Sequence, residues 1–227
     1  MKKLLLTSCL ALGITSGLYA GTITASGTVG AAAAGAYKEN FNAFALGNGT
    51  QSSGALTVEF SGIGAGVVQN SVNNQYAAPF LSGANGNGFG GGAGLDPTRY
   101  LTTGIGIVTF TFASEMDYFG LLWGSIDTFN SLDFWNGADH VVTVSGTDAL
   151  FAAHNSGDQG VAGTFYVNLF ADLGVHYDKV VATSGNYAFE IDNVAYGLNL
   201  GVPDSGATVA LLGLSFACLF FFRRKAA

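Results

Sequence analysis

The run Ile-Val-Thr-Phe-Thr-Phe at Ile107–Phe112 sets large apolar residues against threonine with a period of two from Val108 onward. A strand satisfies that pattern, because its successive side chains point to opposite faces; a helix would smear the same residues around its circumference. Branched and aromatic residues recur in similar short runs: Ala55–Phe60, His140–Gly146, Gly163–Phe170, Asp178–Ser184 and Tyr187–Gly197. Clusters of Gly, Asn, Asp and Ser separate them, and no stretch between carries a capped helical stripe. The pattern predicts an all-β chain folded as an antiparallel β-sandwich, with a jelly roll as one way to connect it. A barrel in the outer membrane is the competing closure. The strands are short and uneven for that, and a barrel has no use for a hydrophobic C-terminal tail.

The two ends of the chain differ from its middle. Met1–Ala20 begins with Lys2 and Lys3, continues as an apolar stretch to about Leu18 and reaches a small residue, Ala20. This is the order of a secretory signal peptide, predicted over residues 1–20. A lipoprotein reading through Cys9 leaves too short an apolar stretch before the cysteine. At the other end, Ala207–Phe222 contains sixteen uncharged residues and is followed by Arg223, Arg224 and Lys225. As a hydrophobic helix it would extend about 24 Å against a hydrocarbon core of about 30 Å, and the snorkelling cations supply part of the difference. By the positive-inside rule those cations form the cytoplasmic membrane stop.

Between the ends lies an exported domain, residues 21–201, of a length suited to one core. Only three cations, Lys38, Arg99 and Lys179, fall between the terminal segments, whereas all fifteen carboxylates lie from Glu39 to Asp204. Nucleic acid is therefore excluded as a partner, since phosphate neutralisation needs clustered cations. The acidity suits an exported, soluble surface or a divalent cation. Both cysteines, Cys9 and Cys218, belong to the terminal hydrophobic segments, so the exported domain has neither a disulfide nor a cysteine nucleophile.

The glycine-rich stretch 82–94 contains Gly86-Asn-Gly88-Phe-Gly-Gly91, which matches a dinucleotide fingerprint in spacing alone. More glycine and then Asp96-Pro97 follow where a helix should begin, so the stretch reads as a loop. His140, His154 and His176 have no nucleophile elbow to serve, and Ser125 lacks the strand-turn-helix frame. Asp127, Asp133 and Glu190 offer carboxylates for a glycoside hydrolase, a minor alternative, but nothing in their spacing pairs any two.

Two segments concentrate oxygen ligands among aromatics: Leu121–Trp135 and Ala188–Gly197. Trp123, Phe129 and Trp135 are candidate sugar-stacking residues, which would make the domain a lectin-like carbohydrate-binding module. Asp127, Asn130, Glu190, Asp192 and Asn193 are candidate calcium ligands. Apart from calcium, no cofactor is expected. The competing reading makes these aromatics core residues and the Asp and Asn side chains turn-formers.

Val202-Pro203-Asp204-Ser205-Gly206, the apolar segment 207–222 and the basic end, in that order, resemble the VPDSG variant of the PEP-CTERM sorting signals. The stretches DPTRYLTTG, LLWGSIDTFNSLDF and AFEIDNVAYG also resemble a family of exosortase-dependent surface proteins. The resemblance implies export in a Gram-negative bacterium, transient retention in the inner membrane through residues 202–227, and processing near the motif by an exosortase, a membrane enzyme resembling cysteine transpeptidases. It further implies a noncatalytic protein of the cell surface or extracellular matrix, associated with exopolysaccharide and biofilm.

Overall fold

The computed structural model describes residues 23–26, 32–82, 93–148 and 157–200. The predicted signal peptide, most of the glycine-rich loop and the whole tail from residue 201 lie outside the described residues. Among the described residues no helix is long and apolar enough to cross a membrane.

All regular structure in these residues is β. The first half of the chain contributes β1 (Ile23–Ser26), β2 (Tyr37–Glu39), β3 (Gln51–Ser53), β4 (Leu56–Ile63), β5 (Gly66–Gln69), β6 (Phe80–Leu81) and β7 (Gly94–Leu95). The second contributes β8 (Arg99–Thr102), β9 (Ile105–Met116), β10 (Tyr118–Gly124), β11 (Asn130–Asn136) and β12 (Asp139–Ser145), then β13 (Phe165–Ala171), β14 (Tyr177–Ser184) and β15 (Glu190–Gly197). One sheet runs β1-β13-β10-β15-β8-β5, with β2 also paired to β15; the other runs β12-β11-β14-β9-β4-β3. Every pairing is antiparallel. The two sheets form the predicted sandwich.

The second sheet has one dry and one wet face, which is why its strands alternate. On β9, Val108, Phe110 and Phe112 are buried while Thr109 and Thr111 are not. Ring contacts join the sheets: Phe119 on β10 lies 5.5 Å from Phe110 in a tilted pair and 6.0 Å from Phe134 on β11 edge-to-face. Fully burying each such side chain contributes about 1.5–3 kcal/mol.

The first sheet is covered on both faces at its centre. Every residue of β10 and β15 is buried. Their inner faces meet the common core, and their outer faces are roofed by chain from 32–36, by Leu81 and by Leu200. Under this roof Tyr118 and Tyr166 converge over Gly120, where a Cβ would come within 2.3 Å of the Tyr118 hydroxyl oxygen. Only glycine leaves that space open.

A β-bulge sets the faces of β15. Gly120 pairs with Ala195 and Leu122 with Asp192, so Asn193 and Val194 together oppose Leu121. Asn193 takes the left-handed conformation, φ 50°, that asparagine tolerates better than most residues. Ile191 and Val194 therefore both reach the core, while Asp192 and Ala195 turn to the roofed face.

Candidate functional site

Where β10 ends and β15 begins, the sheet opens into a cleft of about 730 Å³. Its walls come from four loops: 71–77, 125–129, 157–159 and 186–190. The first is a tight turn in which Val72 and Tyr76 form a bridge and Asn74 takes φ 61°. Its tip presents Asn73, Asn74 and Gln75 to solvent.

Glu190 is the floor. It is 1% exposed, and its two carboxyl oxygens are held separately. Oε1 accepts the Ala77 N–H at 2.9 Å, and Oε2 accepts the Ser125 hydroxyl. One side chain thus ties the 71–77 loop to the turn after β10. Ser125 itself sits at φ 37°, a conformation disfavoured for a residue with a Cβ. The Glu190 contact and the neighbouring Ile126 N–H bond to the Gly163 carbonyl, 2.9 Å, hold the turn there. Burial pushes the Glu190 carboxyl up to about 7, opposed by the bonds from Ser125 and Ala77 and reinforced by nearby Asp127.

Asp127 stands on the wall of the same cleft, and its backbone carbonyl accepts the Asn130 N–H at 3.2 Å. Phe129, 36% exposed, forms part of the rim, and Tyr187 and Tyr76 add two more aromatic rings. Amide side chains of Asn74, Gln75, Gln159 and Asn186 supply most of the remaining polarity. Among the described residues no Lys, Arg or His lines the cleft.

The three predicted stacking residues part company. Trp123 is fully buried and stacks on Phe189, centroids 4.4 Å apart at 20°, so it has no face left for a sugar. Strand β10 sends it into the core, and this corrects its expected role. Trp135 lies half-buried on the other sheet, with His140 edge-on at 4.9 Å and the Lys179 ammonium 5.2 Å from the ring centre. Only Phe129 reaches the cleft.

The predicted calcium ligands also separate. Asp127 and Glu190 share the cleft, but Asn130, Asp192 and Asn193 do not line it. Asn130 is buried, and its Oδ1 accepts the Ser184 hydroxyl at 3.0 Å. Asp192 lies on the roofed face of β15; burial first, then the neighbouring carboxyl of Asp96, holds its carboxyl well above the usual range. Asn193 is spent on the bulge. Among the described residues no three of His, Cys, Asp and Glu gather around a possible metal position, so one ion bridging the two segments is not what this geometry builds. Asp133, the remaining hydrolase candidate, faces His140 on the β11–β12 hairpin at 3.5 Å, outside the cleft.

Sequence reading passed over Tyr187, Tyr76 and the amides. The signal available was Asn73-Asn74-Gln75-Tyr76, three carboxamides running into an aromatic. Its partners come from segments 50 to 115 residues further along the chain, and no local pattern links them.

The sorting residues Val202, Pro203, Asp204, Ser205 and Gly206 and the stop residues Arg223, Arg224 and Lys225 lie outside the described residues. No curated protein matches the chain. Residues 201–226 match the VPDSG-CTERM motif, so the tail of this chain is a PEP-CTERM-like C-terminal sorting signal.

Proposed function

We propose that the chain is a noncatalytic protein of the bacterial surface or extracellular matrix, anchored transiently in the inner membrane and processed near Val202–Gly206 by an exosortase-type membrane enzyme. It then serves in a matrix of exopolysaccharide. The observation that carries this reading is the VPDSG-CTERM match over residues 201–226. The acidic, cysteine-free character of residues 21–201 is in keeping with it: such a domain needs no disulfide chemistry after export and stays soluble at the surface.

A second reading, a lectin-like carbohydrate-binding module, is favoured by the amide- and aromatic-lined cleft. The two are compatible, since a sorted surface protein can hold matrix through a glycan site. Replacing Pro203, Asp204 and Ser205 together by alanine tests the first. The expected outcome is intact export with accumulation of a longer, membrane-bound form on immunoblots. Surface protein of normal mature length from that variant contradicts the reading.

A further inference from the structure

The chemistry of the cleft narrows what it can hold. Its exposed polar groups are mainly side-chain amides, each offering donors and an acceptor, as at Asn74, Gln75, Gln159 and Asn186. A sugar hydroxyl also donates and accepts, so neutral hydroxyls match this set without leaving a charge unpaired. Asp127 adds an acceptor for a hydroxyl proton. Phe129 and Tyr187 add ring faces of the kind that pack on the C–H face of a pyranose.

The same wall rejects other ligands. Among the described residues two carboxylates and no cation line it, so an anion such as a uronate, sulfate or phosphate ester meets like charge there. The volume of about 730 Å³ falls within the usual range of about 300–1,000 Å³ for small-ligand sites, yet the amide-rich lining disfavours a wholly apolar guest. Glu190 is occupied by Ser125 and Ala77, and among the described residues no third carboxylate lines the cleft to build a cation site.

The cleft is also set before any ligand arrives. The Val72–Tyr76 bridge, with a 2.9 Å bond from the Val72 N–H to the Tyr76 carbonyl, fixes the amide-bearing loop. The Ala77 N–H bond to Glu190 and the Ala78 N–H bond to the Ser71 hydroxyl, both 2.9 Å, fix its base. Loop ordering that precedes binding does not have to be supplied by the ligand.

We propose that the cleft between the 71–77 loop, the turn after β10 and the 186–190 segment binds a neutral glycan, with Phe129 and Tyr187 stacking on the sugar and Asn74, Gln75, Asn186 and Asp127 meeting its hydroxyls. The proposal rests on the lectin-like reading of the surface protein and names its ligand class.

The full chain, purified in detergent, is titrated calorimetrically with neutral hexasaccharides (cellohexaose, laminarihexaose, mannohexaose and N-acetylchitohexaose) and with a uronate hexamer from alginate. The expected result is saturable binding of at least one neutral probe and none of the uronate. Phe129→Ala and Gln75→Ala, both at exposed positions, each weaken that binding, the first by up to about tenfold from the loss of one aromatic contact. Trp135→Ala on the other sheet leaves it unchanged. Circular dichroism confirms that each variant is folded. No binding of any neutral probe at millimolar concentration, binding unaffected by both cleft variants, or preference for the uronate overturns the proposal. Chromatography of the titrated probe adds a separate readout: a shortened oligosaccharide contradicts the noncatalytic reading while keeping the site. Loss of glycan binding leaves the sorting reading untouched, because that is read from the length of the surface form.

Discussion

Replacing Glu190 by glutamine isolates the cost of burying one carboxyl at the cleft floor. Glutamine keeps the shape and both contacts: its oxygen accepts the Ala77 N–H, and its amide donates to the Ser125 hydroxyl. In the wild-type chain, burial raises the Glu190 carboxyl from its ordinary 4.5 to about 7. Below pH 4.5 the group is protonated in both folded and unfolded states, and its full contribution to stability is present. Between 4.5 and about 7 the unfolded chain ionises first, so the folded state binds more protons and stability falls as pH rises. The interval is about 2.5 pH units; at about 1.4 kcal/mol per unit the loss is about 3 kcal/mol by pH 8. Urea unfolding of both proteins in the same detergent, followed by the fluorescence of buried Trp123, gives the two profiles. The difference between wild type and Glu190→Gln should change by about 3 kcal/mol across this range in favour of the variant. Parallel profiles contradict the upward shift and leave Glu190 an ordinary carboxylate.

Asp192→Asn acts in the same direction at the roofed face: the wild-type carboxyl is held high by burial and by Asp96, so the variant should be the more stable protein at pH 8, and a less stable variant contradicts that. Gly120→Ala places a methyl 2.3 Å from the Tyr118 hydroxyl oxygen, and urea titration should show a loss of about 1–3 kcal/mol. Calcium at millimolar concentration should raise the melting temperature no more than sodium at equal ionic strength, because the predicted oxygen ligands do not converge; a calcium-specific rise contradicts this.

The sheet with one wet face was legible residue by residue. Val108, Phe110 and Phe112 alternate with threonines because water lies on one side only, so Ile107–Phe112 announces both strand and orientation. The other sheet was legible as strands but not as faces. Tyr118–Gly124 and Glu190–Gly197 are buried on both sides, and a run apolar on both sides does not say which residues turn inward. Trp123 and Phe129 look alike in sequence, yet the turn at Ser125 divides them between core and cleft. The bulge at Asn193 reverses the alternation in mid-strand, which is how Asp192 comes to lie under a roof. The cleft was illegible for another reason: it is assembled from four loops brought together by long-range pairings such as β10 with β15 and β11 with β14. The tail, by contrast, was readable from order alone, since a polar motif, an apolar run and a basic end are local features.

Processing of the tail is tested most directly by the intact mass of the protein recovered from the cell surface of the producing bacterium. The expected mature form is cut near Val202–Gly206 and lacks Ala207–Phe222. A surface form that still carries Arg223 contradicts processing and makes the tail a permanent anchor.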